Sequence, residues 1–306
     1  MSINHPQVSV LMPVYNSEKY IREAIESMLN QIYTDFEFII ILDPSIDNSQ
    51  AIIESYADPR IVLINNTERL GLPRSLNHGL AISRGEFVAR MDADDISLPE
   101  RLEKQVAFMN MHSEIGVCGT WIKYFGEKNL VLAFPADDAT IRCKLLFENN
   151  IAHPSVIIRR SIIVENNLFY NPAFTEVEDY EFWRRCSSYL SFANLGEILL
   201  LYRLHPAQAG KSDFVKQQRF AGLVRLEELK NLDPNVTPEE FGLHEAITLY
   251  QFQYNEAFLE KIRLWLNKLK TSNSKSNYYP EPQLSNILDN KWLEICRLFK
   301  INKLPL

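Results

Sequence analysis

Four short apolar runs, each followed by an amphipathic segment, constrain the first third of this 306-residue chain more than any other feature. The runs are Val8–Val14, Phe36–Leu42, Ile61–Ile64 and Phe87–Met91. Between the first two, Tyr20, Ile21, Ala24, Ile25, Met28 and Leu29 recur at helical spacing. Asp47-Asn48-Ser49 can cap a second helix through Ile52, Ile53 and Tyr56, and Asp47 reads as that cap. Gly71-Leu72-Pro73 opens a third, carrying Leu76, Leu80 and Ile82 and ended by Gly85. Strands alternating with helices in this way predict an α/β fold, with parallel strands joined by right-handed crossovers. In such sheets ligands bind beyond the carboxyl ends of the strands. Those ends carry Pro13-Val14-Tyr15-Asn16, Asp43 and Asp92-Ala93-Asp94-Asp95, which predicts one polar site. No strand is followed by a dinucleotide-type glycine fingerprint or a P-loop.

The fourth run ends in three acids within four positions. Side chains at i and i+2 of extended chain share a side, so Asp92 and Asp94 can aim at one point. Two convergent carboxylates repel unless a cation lies between them, and a hard divalent ion with oxygen ligands meets that need. Helix capping is the other use for such acids. It requires one of them, and Ser97-Leu98-Pro99-Glu100 already supplies a helix start.

Farther along, a helix is expected over Pro99–Met109, strands over Ile115–Phe125 and Leu130–Phe134, and a helix over Ala139–Phe147. His153 heads a strand within Ile151–Arg160, and Thr175–Asp179 opens a helix containing Phe182, Trp183 and Cys186. Two further strands, Phe192–Leu195 and Ile198–Leu204, close at His205-Pro206. Beyond that only helices are predicted, over Phe214–Leu229, His244–Lys270 and Leu284–Phe299, with Thr271–Asn277 as a polar linker between the last two. The expected division is a catalytic domain over residues 1–210 and a helical region over 211–306.

A net charge of −7 argues against a general affinity for nucleic acid. From Lys261 onward, nine basic residues face three acids, a surplus of six that leaves −13 for residues 1–260. The four cysteines are scattered, without metal-ligand spacing, and fit reduced, buried thiols. Neither a secretory leader nor an apolar run near the ~18–20 residues of a membrane span is visible. A cytoplasmic protein, peripheral on the inner face of the membrane, is expected.

Up to Asp95 the chain resembles glycosyltransferase family 2, nucleotide-sugar-dependent enzymes with the GT-A fold. The matching stretches are Val10–Asn16, Leu42–Asp47, Arg69–Asn77 and Ala89–Asp95, then His153–Ile157, Glu178-Asp179-Tyr180 and Tyr202-Arg203-Leu204-His205. The order of seven motifs over about residues 7–206 makes the likeness specific; it departs at Leu42 and Pro44, where the family usually has an acid and a glycine. The resemblance implies a GT-A, Rossmann-like, mainly parallel mixed sheet flanked by helices. It implies that Pro13, Val14, Tyr15 and Asp43 hold the nucleotide base, with Asp43 accepting from a ring N–H. Arg69 or Arg74 would lie near ribose or diphosphate, and Asp92 near the ribose. Asp94, with His205, would hold Mn²⁺ or Mg²⁺, and Asp179 would be the catalytic base. The activity implied is inverting transfer from a nucleoside-diphosphate sugar, a UDP-sugar favoured, to a glycan or lipid-linked acceptor in bacterial surface-polysaccharide assembly.

Plainer roles exist for several of these residues. Thr175 and Glu178 have capping-box spacing, which makes Glu178 structural. His153 can hydrogen-bond within its loop or line the rim of the site, and Asp95 can join the acids or point elsewhere. A sugar-nucleotide nucleotidyltransferase and a non-catalytic sugar-nucleotide-binding protein are the competing functions. The first usually has a glycine-rich basic loop where Tyr15-Asn16-Ser17-Glu18 stands.

The last two helices have apolar faces, Leu259, Ile262, Leu266 and Leu269 with Trp265 nearby, then Ile287, Leu288, Trp292, Ile295, Leu298 and Phe299. With Lys261, Lys268 and Lys270 alongside, these faces suit an anionic membrane surface. Packing against the rest of the chain or a second subunit is the alternative.

Overall fold

The computed structural model describes residues 5–206 and 214–302. It divides into two compact units, Met1–Asp137 with Ile151–Gln217, and Asp138–Asn150 with Gln218–Leu306. The boundary expected near residue 210 lies outside the described residues.

The first unit opens with strands and helices in strict alternation: β1 (Val8–Val14), α1 (Ile21–Leu29), β2 (Phe36–Leu42), α2 (Ser49–Glu54), β3 (Ile61–Asn65), α3 (Leu72–Ile82) and β4 (Phe87–Arg90). β1 pairs in parallel with β2 and β4, and β2 with β3. The crossover pattern read from the sequence is therefore present. Val10, Met12, Phe38, Ile40 and Ala89 sit in one core cluster with Ile21, Ala24, Ile25 and Met28 of α1, so the helix's apolar stripe covers the sheet. Gly85 lies where a Cβ would come within 2.5 Å of the Ser9 nitrogen, so only glycine lets the chain enter β4 against β1.

After β4 come β5 (Ile96–Ser97), α4 (Arg101–Met111), β6 (Ile115–Gly126) and β7 (Leu130–Leu132). From residue 151 follow a 3₁₀ turn at His153–Ser155, β8 (Ile157–Arg159), α6 (Arg160–Glu165), α7 (Glu178–Cys186) and β9 (Ser191–Leu204), α5 belonging to the other unit. The strand order is β3-β2-β1-β4-β8-β6-β9-β5, with β7 on β6. β8 is antiparallel to β4 and β6, while β6 and β9 are parallel. The sheet is thus mixed and mainly parallel. The two strands expected over 192–204 are one: the register with β6 jumps from Leu195 to Ile198, so Gly196-Glu197 form a bulge rather than a break.

The second unit contains α5 (Asp138–Leu145), α8 (Phe214–Leu232) from Gln218 onward, α9 (Pro238–Thr248), α10 (Glu256–Ser276) and α11 (Gln283–Asn302). Its core takes Cys143, Leu146 and Phe147 together with Leu229, Ile247, Ile262, Leu266, Leu288 and Phe299. Recruitment of 138–150 from inside the first unit was not visible in the sequence, because a short helix carries no mark of its partner. The helix expected over His244–Lys270 is broken by Leu249–Asn255, where Tyr250 has φ 54°. α9 starts with a capping box, the Thr237 side chain accepting from the Glu240 N–H. The predicted linker Thr271–Asn277 is instead the last turns of α10, closed by Asn277 in the left-handed conformation.

The apolar faces of the last two helices are not a surface. Ile262, Trp265, Leu266, Leu269, Leu288, Ile295 and Phe299 are all buried in this core. The lysines beside them are paired: Lys261 with Glu239, Lys268 with Asp233 and Glu240, Lys270 with Asp289. No helix among the described residues is long and apolar enough to cross a membrane.

Candidate active site

The carboxyl ends of β1, β2, β3, β4 and β9 share one edge, because these strands run the same way. Each delivers a polar residue there: Tyr15, Asp43, Asn66, Asp92 and His205. β4 ends in a backbone clamp. The fully buried Arg101 of α4 donates through Nη2 to the Arg90 carbonyl at 2.7 Å and to the Val156 carbonyl at 3.2 Å. The acidic segment therefore leaves a rigid base.

Burial alternates along it. Met91, Ala93 and Asp95 are buried, while Asp92 and Asp94 are half-buried, so the i, i+2 pair shares a side as the sequence predicted. Asp92, Asp94 and Asp95 each offer an oxygen within 4.8 Å of the others. Arg90 continues the same side and ion-pairs with Asp92. Burial opposes the guanidinium charge, but the Asp92, Tyr170 and Asp95 charges together outweigh it and raise its pKa. Asp94 Oδ2 lies 2.8 Å from His205 Nε2. Asp95 Oδ1 accepts from the Arg203 N–H at 2.8 Å, and its buried Oδ2 has no hydrogen-bond partner among the described residues.

Burial, and then the Asp92 and Asp94 charges, push the Asp95 carboxyl well above the ordinary carboxylate range. Burial also raises Asp92, with Arg90 working against it and Asp94 with it. Crowded acids that favour protons are acids that would favour a cation more. Oxygen ligands with one imidazole suit a hard or borderline divalent ion such as Mg²⁺ or Mn²⁺. The donor set fits.

Across β1 and β2, the loops are stitched together. The Asn16 amide N–H, in the left-handed conformation, donates to Ser45 Oγ at 3.0 Å, and the Ile46 N–H donates to Asn16 Oδ1 at 3.0 Å. Asp47 accepts from the N–H groups of Ser49 and Glu18 and so ties the start of α2 to that of α1. The N-cap of α2 is Asn48, with no side-chain cap, so Asp47 stands one residue ahead of the cap the sequence predicted. Tyr15 is exposed, and the Arg69 guanidinium stacks on its ring at 3.9 Å. Pro13 and Val14 are strand residues, and the Val14 side chain belongs to the core. Any contact Val14 makes at the edge is through backbone, and its carbonyl already accepts from the Asp43 N–H. Asp43 is buried and accepts from Asn66 Nδ2 at 2.7 Å, Gly71 N–H at 2.9 Å and Ser75 Oγ at 3.2 Å. It braces the α3 entry loop. Gly71 has φ +75°, a conformation that glycine adopts without strain. Arg74 is exposed in the first turn of α3.

Asp179 lies in the first turn of α7, where a carboxylate is favoured by the helix dipole. Glu178 beside it is buried, and no capping box forms: the N-cap is Val177 and no side chain caps the helix. Thr175 and Glu178 fail to close the motif because Glu176 takes φ 73° and turns the chain between them. Burial, then the Asp179 charge, push the Glu178 carboxyl up to about 8, and the Arg90 and Asp92 charges also reach it. The start of α7 thus feels the acidic cluster. His153 is buried, with Nε2 2.9 Å from the Tyr170 hydroxyl and Nδ1 3.9 Å from Glu178. It is a core contact of the site wall, not an open rim residue.

Sequence reasoning passed over Arg90, Arg101, Arg203 and Tyr20. Arg90 was legible: a charge at i−2 of Asp92 inside an apolar strand needs an opposite charge on its own side. Arg101 bonds the Arg90 and Val156 carbonyls and the Gln105 side chain, and its backbone partners leave no pattern in sequence.

The family model for glycosyl transferase family 2 matches residues 9–160. An uncharacterised glycosyltransferase of Methanocaldococcus jannaschii is 36% identical over 226 residues, 71% of this chain and 77% of that protein. The Escherichia coli UDP-Glc:α-D-GlcNAc-diphosphoundecaprenol β-1,3-glucosyltransferase WfgD is 30% identical over 214 residues, 69% and 83% of the two chains. Among solved structures, S. aureus TarS with UDP-GlcNAc superposes with a TM-score of 0.65 at 20% identity, over 94% of this chain and 88% of that one. The Pyrobaculum calidifontis mannosyltransferase PcManGT with GDP-Man and Mn²⁺ gives 0.60 at 14%, over 98% and 83%. These two show the fold, and the nucleotidyltransferase and non-catalytic readings give way to the sequence relatives. The chain is a glycosyltransferase of the GT-A fold and belongs to glycosyltransferase family 2.

Proposed function

We propose that the protein transfers a sugar from a nucleoside-diphosphate sugar, with inversion, to a hydroxyl of a glycan or lipid-linked acceptor in surface-polysaccharide assembly. The observation that carries the reading is the convergence of Asp92, Asp94 and Asp95 at the carboxyl edge of the sheet, with a buried Asp95 oxygen lacking a partner among the described residues. A UDP-sugar is favoured by the donor in WfgD's name and the UDP-GlcNAc in TarS; the diphosphoundecaprenol acceptor in WfgD's name supports a lipid-linked substrate. Peripheral contact with a membrane bearing such an acceptor belongs to the same reading.

Asp94 and His205 would hold Mn²⁺ or Mg²⁺, with Asp92 turned toward the ribose. The ion, when bound, supplies positive charge against the departing diphosphate. Tyr15 offers a stacking face for the base, Asp43 an acceptor, and Arg69 and Arg74 positive charge near ribose or diphosphate. Asp179 takes the proton of the acceptor hydroxyl as its oxygen bonds to the anomeric carbon. The bond from that carbon to the donor diphosphate breaks, and its electron pair leaves with the nucleoside diphosphate. One displacement from the far side inverts the centre.

Thermal shift with Mn²⁺ across UDP-, GDP- and dTDP-sugars tests the donor. A UDP-sugar should raise the melting temperature most. Stabilisation by a GDP- or dTDP-sugar alone would overturn the uridine preference, and none at all would overturn the donor reading.

A further inference from the structure

Arg203 touches the acidic cluster at more points than any function above requires. Its N–H holds Asp95 Oδ1, its Nε donates to the Asp94 carbonyl at 2.7 Å, and its Nη2 reaches Glu23 of α1 at 2.8 Å. The guanidinium lies over the Tyr20 ring at 4.7 Å and over the Phe125 ring at 4.4 Å. Two residues on, the His205 ring packs 4.7 Å from Tyr20 and holds Asp94 Oδ2. The end of β9 therefore grips Asp94 from both its carbonyl and its carboxylate.

The Glu23 contact is not the anchor. Glu23 is more than half exposed, and exposed ion pairs contribute little. The carbonyl bond and the two rings hold a side chain that is only 13% exposed, and a planar guanidinium alone can make both at once.

The geometry points to Arg203 as a positioning residue that fixes Asp94 and Asp95 in an ion-ready arrangement without touching the ion. This rests on the proposed divalent cation at the cluster. Partners that orient metal ligands typically govern affinity by about 10–100-fold.

The test is Mn²⁺ binding to the full chain, read from the loss of the free-ion EPR signal, for the wild type, Arg203→Lys and Phe125→Leu. Arg203→Lys keeps the charge but loses the stacking plane, so Mn²⁺ affinity should fall by about 10–100-fold with folding retained by circular dichroism. Phe125→Leu removes one ring and leaves the acids and His205 untouched; it should weaken Mn²⁺ by a smaller factor, and it decides the matter if Arg203→Lys fails to fold. Wild-type affinity in the folded variants overturns the positioning role alone. No Mn²⁺ binding by the wild-type chain overturns the cation reading and this role with it.

Discussion

Asp94 and His205, 111 residues apart in sequence, meet side chain to side chain at 2.8 Å, the carboxylate from the loop after β4 and the imidazole from the end of β9. Parallel β6 and β9 make this possible, because the sheet returns β9 to the edge where β4 ends. The pair sets an imidazole beside the carboxylates, a group the acidic motif alone does not supply.

Loss of that imidazole should act on the ion rather than the fold. His205→Ala should raise the Mn²⁺ concentration for half-maximal nucleoside diphosphate release by about 10–100-fold. An unchanged Mn²⁺ requirement would remove His205 from the site.

In the proposed reaction Asp179 serves the acceptor half. Asp179→Asn keeps the size of the side chain and removes its basicity, so turnover should fall by about 10²–10⁴-fold. Donor affinity, measured by calorimetry with Mn²⁺, should stay within a factor of two or so. Retained turnover would reject the base.

Asp43 holds the loop that leads into α3. Asp43→Ala leaves the Gly71 N–H, the Asn66 amide and the buried Ser75 hydroxyl short of an acceptor. Stability should fall by about 1–3 kcal/mol in urea unfolding, and nucleotide affinity with it. Lost affinity at full stability would make Asp43 a ligand alone.

Glu178 should leave a mark on stability against pH. Its carboxyl titrates near 8 in the folded chain, above the ordinary 4.5, so folding favours the protonated form. Its contribution is complete below about 4.5 and is lost as pH rises through about 8. Glu178→Gln, permanently neutral, should melt above the wild type at pH 8.5, with the gap closing toward pH 5. A gap independent of pH would contradict the buried, proton-favouring state.

Much of the first unit was legible because its signals are local. The apolar runs from Val8 to Met91 and the helices between them announce their own period, and Asp92 and Asp94 share a side by the geometry of extended chain. What stayed hidden depends on distant partners. The α5 segment joins the second core through Phe147 and Leu146, whose hydrophobicity names no destination. Glu178 has the spacing of a cap, yet the positive φ of Glu176 breaks the motif. The faces of α10 and α11 have the look of membrane helices, and burial in their own unit uses them up. Arg203 lies within the Tyr202–His205 motif, but its surroundings appear only when Tyr20, Phe125 and Asp94 are seen around it.

In the proposed reaction the acidic edge supports ion-dependent transfer from a nucleotide sugar. Nucleoside diphosphate release should be measured with the preferred donor for the wild type, the wild type with EDTA, and Asp94→Asn. Release by the wild type that is lost in EDTA, restored by added Mn²⁺, and at least about 100-fold lower in Asp94→Asn is the predicted result. Full release in EDTA, or full activity in Asp94→Asn, would contradict it.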